Sequence, residues 1–257
     1  MNRISLARRL ALLTLGIGLG GLAAAQGQQQ LVAICSTDQT WCELAAKEFQ
    51  AQTGIRVQQV RKATGEALAQ IRAEAANPKT DLWWGGTGYT ILAGLVQMMG
   101  EDAAFDYLKK LHRNITQYTR SGTAQAKSIA KGEVGIGLSF IFGFENERQQ
   151  GFTMVKSAAP CEGTSYEIGG IALVKGARNR EAAKRYYDWL MSPAGQSAGA
   201  RSNSLQYPAN KTFKVDPKVP TLDNVRLIKY DFEKYGKAAE RKRLLERWEK
   251  EVNSLPR

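Results

Sequence analysis

The residues best suited to binding chemistry are hydroxyl and glycine residues that follow predicted strands. Ser36-Thr37, Thr64-Gly65 and the run Gly85-Gly86-Thr87-Gly88 each separate an apolar stretch from a helical pattern. Such a turn leaves the first N–H groups of the helix free, at the positive end of the helix dipole. One isolated turn of this kind is more often a simple connection, but recurrence at three positions favours binding of an anion or a polar group.

Patterns typical of catalytic and metal sites are missing from the sequence. It has one histidine, His112, and no H-E-x-x-H, C-x-x-C, G-x-S-x-G, Walker A or EF-hand pattern. We expect His112 to be a solvated residue at a helix C-terminus, and one histidine disfavours a zinc site. The sequence therefore predicts a binding protein rather than an enzyme, with no metal and no cofactor.

Alternating strand and helix patterns in the first part of the chain position the turns. We predict strands at 31–34, 55–60 and 81–84, and helices at 40–52 and 66–76, the first opened by a capping box of Thr40 and Glu43. This order with short links predicts a parallel sheet. Ligands of such sheets bind beyond the carboxyl ends of the strands, where the three turns lie.

The remaining pattern is less regular. We predict helices at 89–100, 101–112, 123–131 and 181–191 with further helices at the C-terminus, and strands at 115–118, 134–144, 152–156 and 167–174. Residues 202–220 form a polar, proline-bearing loop.

The N-terminal residues 1–25 have the organisation of a secretory signal peptide. Arg3, Arg8 and Arg9 precede an apolar stretch at 10–22, and Ala23-Ala24-Ala25 suits a cleavage site. The formal charge of the whole chain is +12, to which the signal contributes three arginines and no acid. The other basic residues alternate with acids, which favours solvated helix faces over a nucleic-acid surface.

Three cysteines occur in this exported sequence. Cys35 ends the first strand and Cys42 lies in the first turn of the following helix, so the two could form a disulfide; two free thiols are the alternative. Cys161 is then left over, which indicates a missing or intermolecular partner.

Five stretches carry a family resemblance: ICSTDQTWCELAAKEFQAQTGI, RKATGEALAQIRAEAANPKTDLWWGG, AFDYLKKLH, KGEVGIGLSFIFGF and YEIGGIALVKGA. Together they resemble bacterial periplasmic solute-binding proteins of ABC importers, in the branch described as iron(III)- or phosphonate-type. The resemblance implies an α/β fold of the type II class, with two lobes and solute bound between them. It also implies a periplasmic location and an ABC-transporter membrane permease as partner.

The first departure from the family concerns the ligand. Iron-binding members use two adjacent tyrosines just after a strand, where this sequence reads Ser139, Phe140, Ile141, Phe142. Ferric iron prefers hard oxygen ligands, so a phosphonate, a phosphate ester or another small organic anion fits better. We expect the ligand-binding residues to be Ser36, Thr37, Thr64, Gly65, Trp84, Gly86, Thr87, Gly88, Phe142 and Tyr166.

The second departure is an expected internal deletion. In relatives a long segment separates two small-residue turns. In this sequence the single turn Gly86-Thr87-Gly88 takes the place of both turns. We therefore expect part of the sheet and one interlobe crossover to be missing, with lobe 1 formed by residues 26–86 and 168–257 and a remnant of lobe 2 by residues 87–167. The alternatives are a compact natural variant with an altered hinge, a ferric-iron-binding member, and a truncated non-binding periplasmic protein whose exposed apolar surface favours self-association.

Peptide mapping tests the cysteine assignment. Mass spectrometry of non-reduced peptides of the exported protein should recover Cys35 linked to Cys42, with Cys161 free or intermolecular. A peptide linking Cys35 to Cys161 would contradict the placement of the first strand and helix.

Overall fold

The computed structural model describes residues 29–86 and 88–257, so the predicted signal peptide and Thr87 lie outside the described residues. The strands are β1 (Gln30–Ser36), β2 (Arg56–Arg61), β3 (Leu82–Gly85) and β4 (Gly170–Leu173). The helices are α1 (Gln39–Thr53), α2 (Thr64–Ala73), α3 (Thr90–Met99), α4 (Glu101–His112), α5 (Ala124–Ala130), α6 (Ile141–Gln149), α7 (Arg180–Met191), α8 (Pro193–Arg201), α9 (Phe232–Tyr235) and α10 (Ala238–Trp248), the last continuing into a π-helical turn at Glu249–Asn253. Among the described helices, none combines the length and apolar composition needed to cross a membrane.

One sheet of four strands organises the fold, in the order β2-β1-β3-β4. β1 pairs in parallel with β2 and with β3, which confirms the predicted parallel arrangement. β4 returns antiparallel to β3, with Leu82 opposite Leu173 and Gly85 opposite Gly170. Because side chains alternate along a strand, Trp84 packs into the core while Trp83 lies on the other face and donates its indole N–H to Ser36 Oγ at 2.9 Å.

The main core lies between the sheet and helices α1, α7 and α8. Phe49 of α1 packs against Tyr186 and Trp189 of α7, with ring centroids 4.8 and 5.9 Å apart. The disulfide between Cys35 and Cys42 ties the end of β1 to α1 across 6.1 Å between the two Cα atoms. The carboxyl end of β1 is therefore held by packing and by a covalent bond.

A second core forms where α3 and α4 meet the C-terminal helices. Phe105 and Leu244 are fully buried there, together with Tyr235 and Val252. The sequence-based division assigns residues 168–257 to the first lobe, whereas the packing groups α9 and α10 with α3 and α4. A third, small core joins α5, α6 and the segment 152–156 through Ala126, Phe144 and Val155.

Three predicted strands are wrong. The structure has no strand at 115–118 or 152–156, and the segment 134–144 is irregular up to residue 140 and then enters α6. A strand requires a neighbour for its backbone hydrogen bonds, and no described residue pairs with these segments in a sheet. The apolar side chains of Ile136 and Leu138 are consequently 91% and 56% exposed.

The predictions of a capping box and of a solvated histidine are also wrong. Helix α1 begins after Asp38, so Thr40 lies inside the helix rather than at its cap. His112 is completely buried: its Nδ1 lies 3.0 Å from Tyr118 Oη and its Nε2 lies 2.9 Å from the Leu255 carbonyl oxygen. His112 thus ties α4 to the C-terminal residues, a long-range contact that local sequence does not show.

Ion pairs at Glu101 connect helix α10 to helix α4. Arg243 donates to both carboxylate oxygens of Glu101 at 2.7 Å, and Arg247 donates to Glu101 Oε1 at 2.7 Å and to Asp102 at 2.8 Å. Hydrogen bonds from Arg243, and then from Arg247, outweigh desolvation and lower the pKa of Glu101 from 4.5 to about 2.

Replacing Glu101 with Gln should destabilise the protein at neutral pH but not in strong acid. Because the folded pKa is depressed, the carboxylate stabilises the fold above pH 4.5, and this contribution is lost as the pH falls toward 2. We expect Tm at pH 7 to fall by about 2–4 °C, equivalent to about 1 kcal/mol, and the two proteins to converge near pH 2. Circular dichroism melts across this pH range measure the difference.

Glu133→Gln is the matched control, because Glu133 forms an exposed ion pair with Lys131 at 3.9 Å. This variant should melt within error of the wild type at both pH values. An equal loss of Tm for Glu101→Gln at pH 7 and pH 2 would show that packing, not charge, accounts for the effect.

Candidate functional site

A cavity of about 1220 Å³ opens at the carboxyl ends of the parallel strands. The ends of β1, β2 and β3 line this cavity, together with residues of α3, α5 and the segment 134–142. Thr87 lies outside the described residues, and every other predicted ligand-binding residue lines this cavity: Ser36, Thr37, Thr64, Gly65, Trp84, Gly86, Gly88, Phe142 and Tyr166. The structure thus brings residues far apart in sequence to one concave surface.

Hydrogen bonds orient the hydroxyl groups at the strand ends. Ser36 Oγ accepts from the Trp83 indole, and Thr37 Oγ1 accepts from Gln206 Nε2 at 2.7 Å. Thr64 Oγ1 donates to the carbonyl oxygen of Gly86, which joins the start of α2 to the turn after β3. A serine or threonine hydroxyl that accepts a hydrogen bond keeps its own proton for donation. Ser36 and Thr37 can therefore act as donors to an oxygen-rich solute.

Two glycines permit the close approach of chain segments at this point. Gly85 has a φ of +142°, and a Cβ atom there would lie 2.6 Å from the backbone of Ser36. A Cβ atom on Gly86 would lie 1.8 Å from Glu167 Oε1, so the Glu167 carboxyl packs directly over this glycine. Side chains larger than hydrogen would separate β1 from β3 and push Glu167 away.

Asp38 is a site residue whose contacts the sequence did not show. Its Oδ2 accepts from Ser204 Oγ at 2.5 Å and its Oδ1 accepts from Thr123 Oγ1 at 3.4 Å. Asp38 therefore connects the end of β1 to the 202–220 loop and to the N-terminus of α5. Ser204 and Gln206 lie in the segment 202–220, which the sequence predicts only as a polar loop. No local sequence pattern indicates that this loop packs against β1.

Aromatic rings form the apolar part of the cavity wall. Trp41 and Trp84 meet edge to face with ring centroids 5.3 Å apart, and Phe140 and Phe142 stack at 5.5 Å. Such rings suit the carbon skeleton of an organic solute, while the strand-end hydroxyls suit its oxygens.

The charged residues around the cavity favour an anion. Among the described residues that line it, Arg61, Lys62, Arg120 and Arg241 are cationic, whereas Asp38 and Glu167 are anionic. Arg61 Nε donates to the Thr37 carbonyl oxygen at 3.1 Å, which holds its guanidinium beside the strand-end hydroxyls. The excess of positive charge adds to the helix N-terminus of α2 in attracting a negatively charged group.

Metal ligands are not grouped in the described part of the chain. No set of three or more His, Cys, Asp and Glu side chains there is placed to hold a metal ion. The adjacent tyrosines of α7 lie in the main core; Tyr186 is fully buried and donates to Gln59 Oε1 at 3.1 Å. Burial raises the pKa of Tyr186, which opposes the phenolate form that would bind iron.

Comparison with known proteins shows what this chain resembles. A profile of the family described as bacterial extracellular solute-binding protein matches residues 37–234. AfuA of Actinobacillus pleuropneumoniae, solved with exogenous fructose-6-phosphate bound, superposes with a TM-score of 0.84 at 29% identity, covering 89% of this chain and 100% of that one. Iron-bound HitA of Pseudomonas aeruginosa superposes with a TM-score of 0.71 at 17% identity, covering 84% and 98%, and shows a shared fold.

A Haemophilus influenzae protein described as uncharacterized is 31% identical to this chain, and the alignment covers 98% of this chain and 98% of the relative. That alignment extends over 342 positions, more than the 257 residues of this chain, so the relative carries residues that have no counterpart here. The four-stranded sheet of the described residues agrees with the type II binding-protein fold of these solved structures. The matching profile spans most of the sequence, and the chain belongs to the family of bacterial extracellular solute-binding proteins.

Proposed function

We propose that this protein is the periplasmic solute-binding component of an ABC importer and that its solute is a small phosphate ester or a related organic anion. The observation that carries the proposal is the convergence of strand-end hydroxyls, the α2 N-terminus and basic side chains on one cavity. A membrane permease of the ABC type is the proposed partner, and residues 1–25 the export signal.

The charge-bearing end of the solute lies beside Thr64 and Gly65 in this proposal. Thr64 and Gly65, the first residues of α2, line the cavity, and Ala63, the residue before the helix, provides no side-chain cap. Ser36 and Thr37 donate from the neighbouring strand end, and Arg61 neutralises charge. The sugar or other carbon portion packs on Trp84 and Phe142, with Tyr166 at the rim.

The likeness to AfuA supports a phosphate ester, because that relative was solved with a sugar phosphate and shares 29% of its sequence with this chain. Ferric iron has less support. The likeness to HitA is at 17% identity, and Ser139 to Phe142 provide no phenolate oxygen.

A second candidate is a remnant that has lost solute binding. The observation in its favour is the cavity itself, whose volume of about 1220 Å³ exceeds the range of about 300–1000 Å³ usual for small-molecule sites. The lining of the cavity also exposes apolar side chains such as Ile136 and Leu138. A missing segment that once filled part of this space accounts for both features.

Isothermal titration separates these candidates. The purified chain is titrated with fructose 6-phosphate, a simple alkyl phosphonate, inorganic phosphate and ferric citrate, and we expect saturable binding of the sugar phosphate without turnover. No heat of binding with any solute would favour the remnant, and tight binding of ferric citrate alone would favour the iron-binding alternative. Release of inorganic phosphate from the ester would indicate an enzyme.

Thr64 should be required for affinity. Thr64→Val keeps the side-chain shape but removes the hydroxyl that donates to the Gly86 carbonyl oxygen. We expect binding to weaken by about 1–3 kcal/mol, or about 5- to 150-fold in Kd, because the part-buried hydrogen bond that positions the turn is lost. Titration with the solute selected above measures the change.

Two variants control for general effects of this substitution. Thr64→Ser retains the hydroxyl and should retain most of the affinity, whereas Thr212→Val alters an exposed threonine outside the cavity and should leave Kd unchanged. Equal affinity of the wild type and Thr64→Val would remove Thr64 from the site.

A further inference from the structure

Gln206 belongs to a chain of hydrogen bonds at the carboxyl end of β1. Its Nε2 lies 2.7 Å from Thr37 Oγ1 and 3.1 Å from Ser204 Oγ. Ser204 Oγ in turn lies 2.5 Å from Asp38 Oδ2. Thr37, Asp38 and Gln206 line the cavity, whereas Ser204 is buried. The chain therefore connects a buried hydroxyl group to polar groups at the cavity surface.

The carboxylate of Asp38 fixes the direction of each bond in this chain. An ionised carboxylate only accepts, so Ser204 donates its single hydroxyl proton to Asp38. Ser204 Oγ must then accept from Gln206, which places the amide nitrogen of Gln206, not the amide oxygen, toward Ser204. The second Nε2 proton of Gln206 goes to Thr37 Oγ1. Thr37 consequently keeps its own proton for donation to a solute.

The amide oxygen of Gln206 receives no hydrogen bond from the described part of the chain. Oε1 is also not a buried atom, and Gln206 lines the cavity, so this oxygen is open to a solute. Because the amide group is small and rigid, Oε1 lies beside the Thr37 hydroxyl. The cavity thus presents a donor and an acceptor side by side, and a ligand that satisfies both carries an oxygen acceptor near a hydroxyl donor.

Backbone contacts position the loop that carries Gln206. Asn146 of α6 accepts at Oδ1 from the Leu205 N–H at 3.1 Å, and the Leu205 side chain is fully buried. The Ser204 N–H donates to the Gly199 carbonyl oxygen at 2.8 Å. These contacts fix the backbone immediately before Gln206, so its amide group is preorganised at the cavity surface.

We propose that Gln206 is a specificity-determining residue that selects a hydroxylated organic anion over an anion with an unsubstituted carbon chain. This inference rests on the proposed solute-binding function and narrows its class of solute. Thr37 donates to an oxygen of the solute, and Gln206 Oε1 accepts from a hydroxyl group beside that oxygen. An alkyl phosphate or alkyl phosphonate displaces water from Oε1 without supplying a donor, which weakens its binding.

Two matched phosphate esters test this selectivity. Fructose 6-phosphate and hexyl phosphate have the same number of carbon atoms and the same charged group, but only fructose 6-phosphate carries hydroxyl groups. Isothermal titration gives Kd for each ester, and the ratio of the two Kd values is the readout. We expect the wild type to bind fructose 6-phosphate about tenfold more tightly or better, because hexyl phosphate leaves polar groups of the site unpaired.

Two substitutions of Gln206 should have different signatures. Gln206→Met keeps the side-chain length but removes the acceptor, so the preference for fructose 6-phosphate should fall about fivefold or more while Kd for hexyl phosphate changes little. Gln206→Glu keeps an acceptor but removes both donors, so Thr37 must donate its proton to the new carboxylate. Both Kd values should then rise about tenfold or more, with their ratio near the wild-type value.

Gln97→Met is the matched control. Gln97 is a half-buried glutamine whose amide group donates to the Lys229 carbonyl oxygen at 2.7 Å and accepts from the Asp231 N–H at 2.9 Å, and it does not line the solute cavity. This variant should leave both Kd values unchanged. Because each ratio is measured within one variant, a loss of folded protein does not imitate the change expected for Gln206→Met.

Three results would overturn this inference alone. They are equal affinity of the wild type for the two esters, a wild-type ratio in Gln206→Met, and unchanged Kd values for both esters in Gln206→Glu. In each of these cases the wild type still binds an organic phosphate, so the proposed function stands. Absence of binding of both esters to the wild type would overturn the proposed function and this inference together.

Discussion

The pairing of backbone groups between neighbouring strands is the constraint on which this structure depends. A segment becomes a strand only where another segment supplies its N–H and C=O partners. β1, β2 and β3 have such neighbours and form a parallel sheet whose carboxyl ends meet at one edge. The segment 134–140 is apolar in pattern but has no partner, so it remains irregular and exposes Ile136. The same requirement thus explains both the convergence of the strand ends and the exposure of the segment 134–140.

The sheet edge concentrates binding groups because strands in parallel arrangement end together. Gly85 allows β3 to approach Ser36 closely, and the hydroxyl of Thr64 holds the turn after β3 against α2. Asp38 then connects this edge to Thr123 of α5 and to Ser204. The polar part of the cavity wall results from many short polar contacts, each supplied by a different part of the chain.

Two distinct groups of contacts support the walls of the cavity. The sheet side rests on aromatic packing around Phe49 and Tyr186 and on the disulfide at Cys35. The opposite side rests on the second core, where Glu101 binds Arg243 and Arg247 and where His112 holds the chain near Leu255. The two sides therefore respond to different conditions: the ion pairs respond to acid and the disulfide responds to reductant.

Local sequence determined the elements whose partners lie nearby. The alternation of strands and helices up to residue 99, the turns at Ser36, Thr64 and Gly86, and the helices at 101–112 and 181–191 follow from periodicity and from residues that favour turns. Only the tertiary structure showed that His112 is buried and that Asp38 links distant segments. It also showed that the segments 115–118, 134–144 and 152–156 are not strands. These features depend on residues distant in the chain, and a hydrophobic pattern alone does not show whether a strand partner is present.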